Sequence, residues 1–259
     1  DAAKNFFRPE LSDLHDPYLM LGMDKAVNRI STAIANHEKI MVYGDYDVDG
    51  TTSVALVFSY LTTYYPDCIY YIPDRYEEGY GISKKGIDYA KEEVISLIIA
   101  LDCGIKALDN TTYAKEMGID FIICDHHLPG ADLPEAVAIL DPKQNNCNYP
   151  FKDLCGCGIG FKLIEALTQE RGLSFEMILP YIDLVAMAIA ADIVPILGEN
   201  RILTYYGLAQ IRKNPREGIK LFVTGIKREL NVTDLVFVIA PRLNAAGRIK
   251  HGSLAVELL

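Results

Sequence analysis

The stretch KIMVYGDYDVDGTTS, at residues 39–53, decides the fold of this 259-residue chain. Its first five residues form a short apolar run of the kind found in strands that are buried on both faces of a parallel sheet. Three aspartates at alternate positions follow, and then Gly50 and three hydroxyl residues can turn the chain and cap a helix. A buried strand that leads through a polar turn into a helix is typical of an α/β fold.

The same alternation continues along the first 150 residues of the chain. Short runs rich in β-branched or aromatic side chains predict four more strands, at 68–72, 96–101, 120–124 and 136–140. The segments between these runs have helical spacing and predict helices at 51–65, 83–93 and 107–117. The sequence therefore predicts an α/β domain built on a parallel sheet with flanking helices.

Beyond residue 150 the pattern changes to successive helices, predicted at 159–171, 175–190, 199–212, 215–225 and 232–239. We expect a catalytic α/β domain over residues 1–195 and a helical C-terminal extension over residues 196–259. The chain starts without Met and ends inside an apolar helical pattern, LAVELL. We therefore expect it to be part of a longer protein, in which the extension leads toward a further C-terminal domain.

The composition argues against several classes of protein. With 25 Lys and Arg against 35 Asp and Glu, the formal net charge is -10. A simple cationic nucleic-acid binder is disfavoured, because a phosphate backbone needs basic residues to displace its counterions. The sequence has no uncharged apolar run long enough to span a bilayer. Three of the six cysteines follow or lie within apolar runs, which predicts a reducing, cytoplasmic environment instead of a disulfide scaffold.

Aspartate follows four of the five predicted strands, directly in three cases and after Gly44 in the first. The residues at these strand ends are Asp45, Asp47 and Asp49, then Asp102, then Asp125 with His126 and His127, and finally Asp141. Carboxyl ends of parallel strands meet at one edge of a sheet, so these side chains should lie together, and their repulsion requires a cation. Carboxylates with one or two histidines suit Mn²⁺ or Mg²⁺, one ion or two, and phosphate chemistry. Asp141 precedes a proline and fits a turn and a site equally well.

Four stretches, in order along the chain, resemble the motifs of the DHH phosphoesterase superfamily: VYGDYDVDGTTS at 42–53, ALDCG at 100–104, DHH at 125–127 and AADIVP at 190–195. Within it the chain is most similar to the RecJ group of single-strand exonucleases, because GYGIS at 79–83 and PRLNAAGR at 241–248 resemble further RecJ stretches. The resemblance implies a metal-dependent 5′ to 3′ exonuclease that hydrolyses single-stranded DNA to 5′-mononucleotides in DNA repair and recombination. It also implies a C-terminal DHH-associated domain, and a helicase or a single-strand-binding protein as partners.

Carried over residue by residue, the resemblance implies metal ligands at Asp47, Asp49, Asp102, His126 and Asp192. Asp102 would bridge two ions, Asp45 and His127 would orient water or contact the phosphate, and the DNA backbone would be bound by Arg242, Asn244 and Arg248. Asp192 interrupts the apolar run LVAMAIAADIVPIL, where an unpaired charge is costly. The chain departs from the superfamily's pyrophosphatases at Tyr43, where they have a histidine, and this leaves the number of ions open.

Two other functions remain as alternatives: a phosphodiesterase for short oligonucleotides or cyclic dinucleotides, and an inactive Cdc45-like scaffold that binds single strands. The complete set of carboxylates and histidines favours an enzyme over the scaffold.

We also expect activity to rise as His126 loses its proton near pH 6.5, because only neutral imidazole ligates a metal. Finally, Pro241 should end the preceding helix and place Arg242 and Arg248 on a turn or at the start of the next helix.

Overall fold

A computed structural model of the chain describes residues 7–249 and 251–259. Residues 1–6, with which the predicted catalytic domain begins, lie outside the described residues. The strands are β1 (Lys39–Gly44), β2 (Cys68–Tyr71), β3 (Ile95–Leu101), β4 (Asp120–Cys124) and β5 (Ala138–Leu140). The α helices are α1 (Met23–Ala35), α2 (Val48–Thr62), α3 (Lys84–Glu92), α4 (Leu108–Glu116), α5 (Gly156–Glu170), α6 (Ile182–Asp192), α7 (Gly198–Lys213), α8 (Glu217–Val223), α9 (Val232–Asp234), α10 (Ala240–Ile249) and α11 (Ser253–Leu258).

The five strands form one parallel sheet in the order β2-β1-β3-β4-β5, which confirms the predicted fold class. After β2 the chain crosses back over β1 and adds the remaining strands on its other side. In open α/β sheets, ligands bind outside the carboxyl ends of the strands at such a reversal point. The reversal point lies between β1 and β3, and these strands are followed by Asp45 and Asp102.

Helices cover both faces of the sheet, which explains why the strands have continuous apolar runs. Successive side chains of β1, such as Val42 and Tyr43, point to opposite faces and belong to two different hydrophobic clusters. The larger cluster contains residues of α1, α2, α5 and α6, and the smaller one contains residues of α3 and α4. Strands buried on both faces have no need for polar residues at every second position.

The C-terminal helices continue the larger hydrophobic cluster. Leu203 and Ile211 of α7 are buried in it, and α7 crosses α6 so closely that a Cβ on Gly207 would lie 2.4 Å from Cβ of Ala186. The domain boundary at residue 195 stays a prediction.

Helix α1 was not predicted, although its buried residues have helical spacing: Met23, Ala26, Val27, Ile30 and Ala33. No helix within the described parts of the chain is long and apolar enough to cross a membrane.

The prediction that Pro241 ends a helix is wrong. A π-helical turn, Leu235–Ile239, joins α9 directly to α10, which contains the proline. Proline lacks an amide donor and crowds the carbonyl four residues earlier, and a π turn changes the hydrogen-bond register at that point. Arg242 and Arg248 therefore lie on the same helix, six residues apart, and their side chains do not share one face.

Candidate metal centre

The three aspartates after β1 occupy three different environments. Helix α2 begins at Val48, and Asp47 caps it by accepting a 2.9 Å hydrogen bond from the amide of Gly50 at Oδ1. Gly50 lies so close to the loop that a Cβ would meet the carbonyl oxygen of Asp45 at 2.4 Å. In an extended chain successive side chains point in opposite directions, and this alternation stops at Asp47, just before the helix begins. Asp45 is completely buried, whereas Asp49 lies in the first turn of the helix.

Asp49 is held by the N-terminus of α5. The amide of Gly156 donates to Oδ2 and the amide of Cys157 donates to Oδ1, each over 2.7 Å. The first amides of a helix lack partners within the helix and favour an anion. Cys155 caps the same helix, because its Sγ accepts a hydrogen bond from the amide of Gly158. These backbone donors were not predicted from the sequence.

The imidazole of His126 lies at the centre of three carboxylates from separate parts of the chain. Its Nε2 is 3.2 Å from Oδ1 of Asp102, 3.6 Å from Oδ2 of Asp192 and 3.9 Å from Oδ2 of Asp49. Two sets of ligand atoms each lie within 4.8 Å of one another: Asp49, His126 and Asp192, and Asp102, His126 and His127. We call the five residues of these sets the candidate metal centre.

Burial and mutual repulsion make these carboxylates hard to ionise. Burial raises the pKa of Asp49 and of Asp102, and each is raised further by neighbouring carboxylates. Burial, with the charge of Asp47, raises the pKa of Asp192 to about 6 and that of Asp45 to about 7. A cation bound among these groups would offset both effects. The donor set and its electrostatics therefore fit a hard divalent metal ion.

His126 differs from the expectation that it titrates near pH 6.5. Burial lowers the pKa of its imidazole to about 4, and the charge of His127 acts in the same direction. The ring is therefore neutral throughout the range around pH 7 and is available as a ligand. A rise in activity near pH 6.5 would therefore point to a group other than His126.

Asp125, the first residue of the DHH triplet, positions the two histidines. Its Oδ1 accepts hydrogen bonds from the amides of His126 and His127 and, over 2.7 Å, from Nδ1 of His127. This last hydrogen bond raises the pKa of His127. Tyr80, in the GYGIS stretch, donates to the carbonyl of Asp102 and lies 3.3 Å from Nε2 of His127. Asp125 was predicted to lie at this edge of the sheet, but the positioning contacts of Asp125 and Tyr80 were not predicted from the sequence.

Asp141 belongs to a turn that supports the DHH triplet. Its Oδ1 accepts a 2.7 Å hydrogen bond from the amide of Lys143, and Nζ of Lys143 donates to the carbonyl of His126 over 2.5 Å. The carboxylate is fully buried, and burial raises its pKa to about 7. Asp141 is in neither set of ligand atoms, so the geometry favours the turn.

A cavity of about 370 Å³ opens beside the candidate metal centre. Asp47, Asp49, Asp192 and Asn244 line it, so three predicted metal ligands and one predicted DNA contact face the same space. Arg242 and Arg248 are exposed on α10, outside the cavity lining. Tyr43 points elsewhere, because its hydroxyl donates to the carbonyl of Gly81 and its ring stacks on another tyrosine in the smaller hydrophobic cluster.

Replacing Gly156 with alanine should disrupt the candidate metal centre. A Cβ at this position would lie 2.6 to 2.8 Å from side-chain atoms of Asp102, so the carboxylate must move. We expect a loss of about 1–3 kcal/mol in stability, typical of overpacking, together with weaker Mn²⁺ binding. Thermal unfolding with and without Mn²⁺ measures both. Gly225→Ala is the control, since a Cβ there meets nothing within 4 Å. Unchanged Mn²⁺ affinity in Gly156→Ala would contradict the prediction.

Comparison with known proteins shows which family and which relatives this chain resembles. The sequence model of the DHH family, N-terminal domain, matches residues 39–189. The RecJ single-stranded-DNA-specific exonuclease of Bacillus subtilis is 44% identical over 262 residues, covering 100% of this chain and 33% of the relative. The enzyme of the same name from Salmonella typhimurium is 40% identical over 252 residues, covering 92% of this chain and 44% of the relative. The chain thus spans less than half the length of these two curated relatives.

Solved structures are similar over nearly the whole chain. A crystal structure of exonuclease RecJ bound to manganese superposes with a TM-score of 0.86 at 32% identity, covering 96% of this chain and 62% of that one. RecJ from Thermus thermophilus in complex with Mn²⁺ gives a TM-score of 0.84 at 29% identity, covering 99% of this chain and 36% of that one. Since the family match spans more than half of the chain and includes Asp49, Asp102 and His126, the chain belongs to the DHH family.

Proposed function

We propose that this chain is the catalytic core of an exonuclease that is specific for single-stranded DNA and depends on Mn²⁺ or Mg²⁺. One observation carries the proposal: Nε2 of His126 lies within 4 Å of three carboxylates that come from three other segments. The names of the similar proteins support the substrate, and RecJ structures with manganese or magnesium support the metal.

We assign the metal ligands to Asp49, Asp102, His126 and Asp192. When bound, divalent cations lower the pKa of water, align it with the phosphorus atom and neutralise charge on the phosphate oxygens. His127 lies close enough to be a further ligand, although the family resemblance implied a role beside the metal for it. Asp47 faces the cavity, and its Oδ1 already accepts a hydrogen bond from the amide of Gly50. It is in neither set of ligand atoms, so we keep it only as a candidate ligand of a second ion.

The residues around the ligands would hold the protons that the reaction needs. Asp125 accepts a hydrogen bond from Nδ1 of His127 and raises the pKa of the ring, which leaves Nε2 as the atom that can face a metal ion or a phosphate oxygen. Tyr80 orients that edge of the ring from 3.3 Å away. Asp45 has no exposed surface and burial raises its pKa to about 7, so we propose that it does not contact the phosphate directly.

The direction of degradation, its products and the biological role are inferred from the family resemblance. We propose that degradation proceeds from the 5′ end and releases 5′-mononucleotides. We also propose a role in DNA repair and recombination, in which a helicase or a single-strand-binding protein supplies or covers the single strand. A C-terminal DHH-associated domain would complete the DNA-binding surface, which fits the net charge of -10 of this chain.

A digest of single-stranded oligonucleotides labelled at the 5′ or the 3′ end, with Mn²⁺, Mg²⁺ or EDTA, tests the proposal. We expect a labelled mononucleotide as the first product of the 5′-labelled strand, a shortening ladder from the 3′-labelled strand, and no reaction in EDTA. Cleavage restricted to very short strands would indicate the oligonucleotide phosphodiesterase. Binding without cleavage in Mn²⁺ would indicate the scaffold.

Replacing Arg242 with alanine should weaken binding to single strands of every sequence. The guanidinium is exposed on α10 next to Pro241, which lines the cavity, so it can contact the phosphate backbone. We expect the slope of log K against log salt to decrease by about one unit and the Mn²⁺ affinity to stay unchanged. Fluorescence anisotropy at several salt concentrations measures this slope. The exposed Lys227 serves as the control, and an unaltered slope in Arg242→Ala would leave the arginine without a phosphate role.

A further inference from the structure

Ile193 has an unusual backbone conformation directly after the ligand candidate Asp192. It ends α6 in the left-handed region, with φ 58° and ψ 31°, and its side chain is exposed, with a relative accessibility of 80% for the residue. This region is unfavourable for any residue with a Cβ and most unfavourable for a β-branched one. Such strain is found mainly at functional sites, where the surrounding structure maintains it.

The position of Ile193 separates it from most other strained residues. Among the described residues, four besides glycine have a positive φ: His37, Val94, Asp102 and Ile193. His37 and Val94 precede β1 and β3, at the amino edge of the sheet. The other two lie at the candidate metal centre, where Asp102 is a candidate ligand. The strain at Ile193 therefore coincides with the site.

Ile193 also contributes to an apolar wall of the cavity. Val236, Ala240 and Pro241, from the π turn and α10, line the same cavity of about 370 Å³ as Asp49 and Asp192. A cavity of this size is within the range of small-molecule sites, which combine apolar walls with a few polar groups. Here the carboxylates line the side of the cavity next to the candidate metal centre, and Asn244 adds an uncharged polar group to the lining.

We propose that Ile193, together with Val236 and Ala240, contacts the sugar and base of the nucleotide whose phosphate lies at the candidate metal centre. The proposal rests on the proposed function, because it requires cations at Asp49 and Asp192 to attract the phosphate. The sugar and base are covalently attached to that phosphate, so they must occupy the space beside it. The apolar wall offers them burial that does not depend on base identity.

Isothermal calorimetry in saturating Mn²⁺ tests the proposal without requiring turnover. The two probes are thymidine 5′-monophosphate, which carries a sugar and base, and inorganic phosphate, which carries neither. We expect the native chain to bind the nucleotide about tenfold more tightly than phosphate. Ile193→Gly should bind the nucleotide about fivefold more weakly and phosphate with unchanged affinity. Ile193→Val, which keeps a branched apolar side chain, should stay close to native.

Val94 provides a matched control, because it is also β-branched, has a relative accessibility of 80% and has φ 60°. Val94→Gly and Ile193→Gly should both melt at or above the native temperature, since glycine removes the strain. Only Ile193→Gly should lose nucleotide affinity. Equal binding of the two probes by the native chain, or native nucleotide affinity in Ile193→Gly, would overturn the proposal. Failure of the oligonucleotide digest alone would instead reject the exonuclease function and leave the nucleotide contact standing.

Discussion

Asp102→Ala should abolish hydrolysis of single-stranded oligonucleotides and, at the same time, the thermal stabilisation by Mn²⁺. The carboxylate is buried at the carboxyl end of β3, 3.2 Å from Nε2 of His126. Its loss removes a ligand candidate that no other side chain can replace from the same strand. We expect the rate at saturating Mn²⁺ to fall on the order of 10³-fold or more, equivalent to several kcal/mol of metal-dependent stabilisation.

A second substitution at the same position separates charge from backbone strain. Asp102 has φ 58°, a conformation that asparagine tolerates better than alanine does. Asp102→Asn should therefore lose activity and Mn²⁺ stabilisation as fully as Asp102→Ala, but remain well folded. Initial rates and melting temperatures with and without Mn²⁺ measure both effects. The control is Asp132→Ala, at an exposed loop position, and near-native turnover in either Asp102 variant would refute its assignment as a ligand.

The metal-free chain should lose stability as the pH rises from about 5 to about 8. Burial raises the pKa of Asp45 to about 7 and that of Asp192 to about 6, from an ordinary value of 3.8. Between the ordinary and the raised pKa values, the folded state holds more protons than the unfolded state. Deprotonation therefore favours unfolding, and this destabilisation is complete above the raised values. We expect the melting temperature in EDTA to fall by roughly 5 to 10 °C over this range.

Saturating Mn²⁺ should reverse this trend, because the ion binds the ionised carboxylates of the folded state. Melting curves at pH 5 and pH 8, in EDTA and in Mn²⁺, give the four values needed. Asp102→Asn is the matched variant: with one buried carboxylate fewer, it should show a smaller decrease in EDTA. A melting temperature in EDTA that rises from pH 5 to pH 8 would show that the carboxylates are not the controlling groups.

The sequence was sufficient for the sheet because its central strands β1, β3 and β4 are buried on both faces. Each continuous apolar run, such as 39–43, corresponds to a strand within one or two residues. It was also sufficient to place Asp102 and His126 at one edge, since the carboxyl ends of parallel strands converge. Spacing was a poor guide after β1, where the three aspartates at alternate positions lie in three different environments. Helix α2 begins at Val48, and the backbone there no longer alternates.

Contacts between distant segments account for the rest of the site. The amides of Gly156 and Cys157 hold Asp49, but backbone donors have no signature in side-chain chemistry, and the helix they belong to is more than 100 residues away. In a sequence, a proline predicts the end of a helix. The structure shows instead that a π turn precedes α10 and that the helix continues through the proline. Asp125 was predicted to lie at this edge with the other aspartates, but its role in positioning the histidines depends on four hydrogen bonds.

The strand order β2-β1-β3-β4-β5 also determines when during folding a metal can bind. The ligand candidates lie on four segments that are brought together only after parallel strands have paired across long crossovers. Such non-local pairing forms slowly and late, and an unfolded chain offers no preassembled site. A metal that recognises only the completed arrangement has nothing to stabilise in early folding states. It should therefore leave the rate of folding almost unchanged and extend the lifetime of the native state by slowing unfolding.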